Sequence, residues 1–239
     1  MSGALFAILG QSNALGVATA EACDEHPLGV RQWNQAGALA AATVPLDHAG
    51  KIPGRFGFDV GFARSFANPD RLVFVPSAID ASGFSNNIWR RGDPGYEAAI
   101  ARFAAARTAI GGLTERGVLF QFGEADSLAD HATFQIDLDR MIDDMRSDLD
   151  DPTLPFVFGG MAQAAIAKIG NNAREIQSIL RAVSARKSFA AFADSERPTA
   201  LGVIGGGDDL HFNADATRTL GERYYRAFVA CVKRVPIFQ

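Results

Sequence analysis

Ser12, Asp208 and His211 are residues whose types and surroundings could carry nucleophilic chemistry. A hydroxyl oxygen becomes a nucleophile when a histidine takes its proton and a carboxylate holds that histidine in place. Ser12 lies in Gly10-Gln11-Ser12-Asn13, directly after an apolar run over 4–9. Asp208 and His211 stand three apart in GGGDDLHFNADA, residues 205–216, ahead of the last helical stretch. That spacing lets one turn bring both side chains to the same side, with the carboxylate reaching ring Nδ1. Each part alone has an ordinary structural reading. A serine before a helix is usually a cap, Asp208 or Asp209 could be a loop residue, Asn213 could cap the last helix, and a lone histidine is usually a surface or satisfied group. Their joint placement points instead to acyl transfer.

The elements that must position these residues can be read from hydrophobic patterning. Five short runs, at 4–9, 72–76, 117–122, 155–158 and 200–204, are continuously apolar, as parallel strands covered on both faces are. Helical stretches are expected at 59–67, 94–110, 134–149, 172–186 and 214–232. The second opens near a proline and stops at Gly111-Gly112. In the third, Ile136, Met141, Ile142, Met145 and Leu149 fall near helical spacing. This alternation predicts an α/β fold, a three-layer α/β/α sandwich around a parallel sheet. In such a sheet the loops after the strands open on one edge, so Ser12 and His211 can meet across the chain. Segments 17–56 and 77–93 lack long periodic patterns, follow strands, and are candidate walls of the site. No repeat or linker divides the chain, and one domain over 1–239 is expected.

Composition narrows the function. Of 239 residues, 48% are hydrophobic and 21% charged, which suits a folded domain with a sizeable core. The net charge is −4 with no basic stripe, so nucleic acid is not an expected partner. No apolar run approaches the roughly 20 residues of a membrane span, and the N-terminus lacks the basic start of an export signal. A cytoplasmic protein with no membrane partner is the expectation; oligomeric state is open. Two cysteines, Cys23 and Cys231, make no disulfide framework, although a single bridge is possible. His26 and His48 have no ligand-spaced partners, so no metal is expected. Gly205-Gly206-Gly207 lacks the spacing of a dinucleotide loop, and no cofactor is expected.

Gly10-Gln11-Ser12-Asn13 with Gly16, and Asp208-x-x-His211-Phe212, resemble the first and last sequence blocks of the SGNH hydrolases. More narrowly they resemble the sialate O-acetylesterase and acetylxylan esterase branch, carbohydrate esterase family 6. Ser82-Gly83-Phe84-Ser85-Asn86-Asn87-Ile88-Trp89 is similar to that branch's GGTSIxxW segment. Phe120-Gln121-Phe122-Gly123-Glu124-Ala125-Asp126 is similar to its WHQGExD block. The four segments keep the family order over residues 10–212. The resemblance implies a flavodoxin-like five-stranded parallel sheet in the order 2-1-3-4-5, and no metal. It also implies Ser12 as nucleophile, His211 as general base and then acid, Asp208 as its orienting partner, and the Ser12 and Gly83 N–H groups as oxyanion donors. The substrate it implies is a small-molecule or glycan ester. Gln11, Asn13, Gln121, Asn86 and Glu124 are further candidates for the oxyanion and substrate region.

One departure stands out. Aligning on Gly123-Glu124 places Phe122, which cannot donate, where the family's glutamine amide is the third oxyanion donor. Gln121 is one residue earlier and in a strand faces the other way. A bulge could redirect it, Asn86 or Asn87 could substitute, or the site is weakened. Glu124 and Asp126 are expected to hold loop backbone or an arginine, with Glu124 alternatively orienting His211. Trp33, Trp89 and Tyr96 could stack on sugar at the mouth or simply pack. The leading reading is a serine esterase removing O-acetyl groups. Two alternatives are a flavodoxin-like protein cradling an FMN phosphate on GQSNAL and a carbohydrate-binding relic of the same fold. In the flavin reading the late Asp-x-x-His has no task, and a colourless protein that takes up no FMN excludes it.

Overall fold

The computed structural model describes residues 3–129 and 132–233, so the ends of the expected 1–239 domain lie outside the described residues. In chain order the first half runs β1 (Gly3–Gly10), α1 (Ser12–Leu15), β2 (Ala18–Thr19), β3 (Arg31–Trp33), β4 (Leu39–Ala41), β5 (Arg55–Phe56), α2 (Asp59–Ser65), β6 (Leu72–Pro76) and α3 (Pro94–Ile110). There follow β7 (Leu113–Gln121), α4 (Glu124–Ser127), α5 (Phe134–Asp148), β8 (Phe156–Gly159), α6 (Gln163–Ile169), α7 (Asn171–Arg181) and α8 (Val183–Arg186). The chain continues through β9 (Ala190–Ala193), β10 (Val203–Gly205), β11 (Asp208–Phe212) and α9 (Ala214–Lys233). No helix among the described residues is long and apolar enough to cross a membrane.

The central sheet has seven strands in the order β4-β3-β6-β1-β7-β8-β9. All neighbours pair in parallel except β4, which returns antiparallel along β3. The expected order 2-1-3-4-5 holds for the five strands β6-β1-β7-β8-β9, and the irregular 17–56 segment adds β3 and β4 at one edge. One expected strand is wrong. The run at 200–204 is not the fifth sheet strand; Ala190–Ala193 is, and Val203–Gly205 instead forms a hairpin with β11. The sheet strand escaped notice because Ala-Ala-Phe-Ala has no β-branched residue. Its Ala191 and Ala193 are small and lie in the same core cluster as Tyr224 and Ala227 of α9. The expected helix at 172–186 is broken into α7 and α8, and α6 before it had no clear signal.

Every residue of β1 is buried, and its alternation divides the core. Leu5, Ala7 and Leu9 join the cluster of α3, α5 and α7, whereas Ala4, Phe6 and Ile8 join that of α2 and α9. This two-sided burial explains why the strand reads as an unbroken apolar run. Phe6 is a centre of the second cluster, with its ring centroid 5.0 Å from Phe62, 5.9 Å from Phe66 and 4.8 Å from Phe228. Ile136, grouped by helical spacing with the apolar residues of α5, is exposed. Both cysteines are free thiols, Cys23 exposed and Cys231 buried, so no bridge forms.

The chain leaves β1 for strands on one side and returns to β7 on the other, so the carboxyl end of β1 is a topological switch point. Anchoring that end depends on the aromatic packing beneath it. Phe6→Ala should cost about 3–5 kcal/mol of unfolding free energy by chemical denaturation. A loss below about 1 kcal/mol would show that Phe6 is not a packing centre.

Candidate active site

Gly10 ends β1 at φ +121°, where a Cβ would lie 1.9 Å from the Gln121 carbonyl oxygen. The chain therefore turns sharply against β7, with the Gln11 N–H bonded to the Gln121 carbonyl at 3.0 Å. Ser12 follows as the first residue of α1. Its Oγ lies 2.9 Å from His211 Nε2, a contact spanning 199 residues. His211 Nδ1 lies 2.9 and 3.1 Å from the two carboxylate oxygens of Asp208. Asp208 Oδ1 also accepts the N–H groups of Leu210 and His211, at 3.2 and 3.1 Å. Burial alone would raise the Asp208 pKa. The hydrogen bonds and charge of His211, with the Leu210 N–H, outweigh it and hold the carboxyl below its ordinary value. Asp208 and His211 sit on β11 of the hairpin, not in a loop after a sheet strand.

The residues flanking Ser12 are gripped from below. Gln11 Nε2 donates to Glu124 Oε2 at 2.5 Å, and Asn13 Nδ2 donates to Glu124 Oε1 at 3.0 Å. Asn13 also donates to the Leu210 carbonyl at 3.1 Å and accepts the Phe212 N–H at 3.3 Å. Asn13 thus spends its amide on positioning Ser12 and the hairpin, and Gln11 binds Glu124 while both line the cleft over Ser12. Glu124 is buried, and burial pushes its carboxyl above the ordinary range despite bonds from its own backbone and Asn13. The alternative role for Glu124, orienting His211, falls to Asp208.

Several expected donors face elsewhere. Gln121 is not redirected by a bulge; its amide donates to the Gly160 carbonyl and accepts the Tyr224 hydroxyl, on the face opposite Phe122. Phe122 packs in the core, 4.3 Å from Phe120 and 5.4 Å from both Phe84 and Phe134. Asn86 does not substitute, because its amide bridges the Gly83 N–H (2.9 Å) and the Ala81 carbonyl (2.7 Å). The Gly83 N–H is therefore already occupied in this structure. Glycine is required there because a Cβ would meet Asp126 Oδ2 at 2.6 Å. Asp126 holds the same loop by accepting the Ser85 N–H at 2.7 Å, the backbone role expected of it. Trp33, Trp89 and Tyr96 are all buried and pack in the core rather than at a mouth.

A cleft of about 660 Å³ opens over Ser12 and His211. Its wall includes Asp80 and Ala81, from the 77–93 segment expected there, and Leu128 and Ile169, which no sequence motif singled out; among the described residues none of 17–56 lines it. Ala81 has left-handed backbone at φ +50°, a conformation that glycine advertises in a sequence and alanine does not. His26 is paired with Asp59 at 2.7 Å, and buried His48 accepts the Ala78 N–H, its pKa lowered to about 4 by burial.

The family model described as carbohydrate esterase, sialic acid-specific acetylesterase, matches residues 2–230. The chain belongs to this family of carboxylic ester hydrolases. A protein of known structure from Arabidopsis thaliana superposes with a TM-score of 0.81 at 22% identity, covering 96% of this chain and 99% of that one. NanS gives 0.81 at 15% identity, with 98% of both chains covered. A carbohydrate acetylesterase from Xanthomonas citri gives 0.68 at 17% identity, covering 98% of this chain and 58% of that one. At these identities the likeness shows a shared fold. No curated protein matches the chain in sequence.

The Glu124 contacts give a direct test. In Glu124→Gln one carboxylate oxygen becomes an NH₂ facing an amide donor of Gln11 or Asn13. An unmet buried group of this kind costs about 1–3 kcal/mol, read as a lowered denaturation midpoint. An unchanged midpoint would mean that the carboxylate does not hold the Ser12 turn.

Proposed function

We propose that this protein is a serine O-acetylesterase, which removes acetyl or similarly short acyl groups from hydroxyls of a carbohydrate or comparably polar small molecule. The observation that carries this reading is the continuous hydrogen-bonded chain from Ser12 Oγ through His211 to Asp208 at the floor of a cleft. Membership of a carbohydrate esterase family supports the acetyl ester as substrate.

In the proposed reaction His211 Nε2 takes the Ser12 proton as Oγ attacks the acetyl carbonyl. Asp208, ionised and bonded to Nδ1, steadies the imidazolium that forms. His211 then returns the proton to the departing sugar oxygen, leaving an acetyl-Ser12 ester. Water, deprotonated by His211, attacks that ester; acetate leaves and Ser12 recovers its proton. The Ser12 N–H is the assigned backbone donor to the oxyanion. With Phe122 in the core, the glutamine amide expected at that position is missing. Loss of one such donor costs roughly 2.7–4 kcal/mol, about a hundred- to thousandfold in rate, so a slow esterase is expected rather than an inactive one. The flavin-binding alternative leaves the bonds from Asp208 to His211 and from His211 to Ser12 without a task and is not favoured.

Turnover of p-nitrophenyl acetate and acetate release from acetylated sugars test the proposal. Ser12→Ala should abolish both, and Asp208→Asn should lower kcat on the order of 10⁴-fold by leaving the wrong imidazole tautomer. Wild-type rates in Ser12→Ala would refute the nucleophile.

A further inference from the structure

We propose that Leu128, Ile169 and Leu210 form an apolar shelf in the cleft of Ser12 and His211. The shelf seats a second acetyl group carried next to the ester being cleaved, so multiply acetylated molecules are the preferred substrates. The inference rests on the esterase reading above and deepens it. Three separate elements supply the shelf. In α4, Glu124 and Ser127 are both buried, three residues apart on one face. Glu124 holds the amides of Gln11 and Asn13, and Ser127 Oγ donates to the Gly123 carbonyl at 2.6 Å. With that face pinned inward, Ala125 and Leu128, also three apart, are turned to the cleft. Ile169 closes α6 ahead of Gly170, and Leu210 precedes His211 on β11. Leu128 is 73% exposed. A single exposed leucine is ordinary on a protein surface. This one adjoins two further apolar side chains at the lip of the cleft, and exposed apolar groups gathered at a groove mark a binding surface.

The polar groups on this side of the cleft are already spent. Asn13 and Glu124 bond to each other, and Ser127 bonds to backbone. Lys168 is more than half exposed and turns to Asp209 at 3.2 Å. A sugar hydroxyl set against the shelf therefore gives up water without gaining a partner, which costs free energy. A methyl group set there loses nothing and gains apolar contact. Acetylated carbohydrates carry such methyls on the acetyl groups next to the one being cleaved. Burying one or two of them is worth about four- to tenfold in kcat/KM.

The experiment compares 1-monoacetin with triacetin, which are glycerol carrying one and three acetyl groups. The triacetin-to-monoacetin ratio of kcat/KM, per ester group, is measured for the wild type and for Leu128→Ser. Comparing the two ratios cancels the intrinsic reactivity of the esters. Position 128 is largely exposed, so the substitution leaves the core untouched. The ratio should fall about fourfold in Leu128→Ser. Ethyl butyrate and ethyl acetate, run beside the acetins, differ only in acyl length, and their ratio should stay as in the wild type. A triacetin ratio unmoved by the substitution overturns the inference while leaving the esterase reading intact. A larger fall in the butyrate-to-acetate ratio assigns Leu128 to the acyl chain and overturns it equally. Turnover of neither acetin by the wild type removes the esterase reading, and the inference with it.

Discussion

The site depends on one buried carboxylate. Glu124, the first residue of α4 just past β7, grips Gln11 on one side of Ser12 and Asn13 on the other. Burying a carboxylate is expensive unless its oxygens are bonded, and these two amides supply the bonds. The same Asn13 reaches the Leu210 carbonyl and the Phe212 N–H, on either side of His211. One residue pair thus links three chain segments: the turn after β1, the start of α4 and the β10–β11 hairpin. The distance from Ser12 Oγ to His211 Nε2 is set by this link as much as by either residue's own backbone.

The sheet supplies the rigid frame for that link. β1 and β7 are paired side by side from Gly3 to Gly10, and the Gln121 carbonyl continues the pairing to Gln11 N–H. Gly10 and Gln121 approach so closely that any side chain at position 10 would collide with backbone. Above this frame, the loop that carries Asp80 and Ala81 is tied down by Ser82 Oγ on the Gly10 carbonyl, Trp89 Nε1 on Ser82 Oγ, and Asp126 on the Ser85 N–H. Both loops are therefore fixed to the same two strand ends. The cleft between them inherits that rigidity, which pre-orients donors and acceptors before substrate arrives.

Much of this was legible in the sequence, for identifiable reasons. β1 and β6 are unbroken apolar runs because both faces are covered, and that pattern is visible without coordinates. Ser12, Asp208 and His211 are brought together as their spacing and order suggested. Period-2 alternation also put Gln121 on the face away from Phe122, where it bonds Tyr224. The misses follow local composition. β9 is built of alanines chosen for packing against α9, so it carries no strand signal. Gly83, expected as a donor beside the reacting carbonyl, gives its N–H to Asn86 in this structure, and its missing side chain makes room for Asp126. Asp80 and Ala81 lie in the 77–93 segment expected as a wall, but no residue type singled them out within it, because alanine gives no hint of positive φ. The tryptophans and Tyr96 belong to the core, since an aromatic residue signals burial as readily as recognition.

The central claim is that Ser12 Oγ forms a covalent bond with the acyl carbon during turnover. The most direct measurement is intact and peptide mass spectrometry after treatment with a fluorophosphonate, which phosphorylates an activated serine irreversibly. The account predicts one adduct per chain, carried by the peptide containing Ser12 and lost when His211 is replaced by alanine. An adduct on another residue, or labelling of Ser12 that persists without His211, would contradict it.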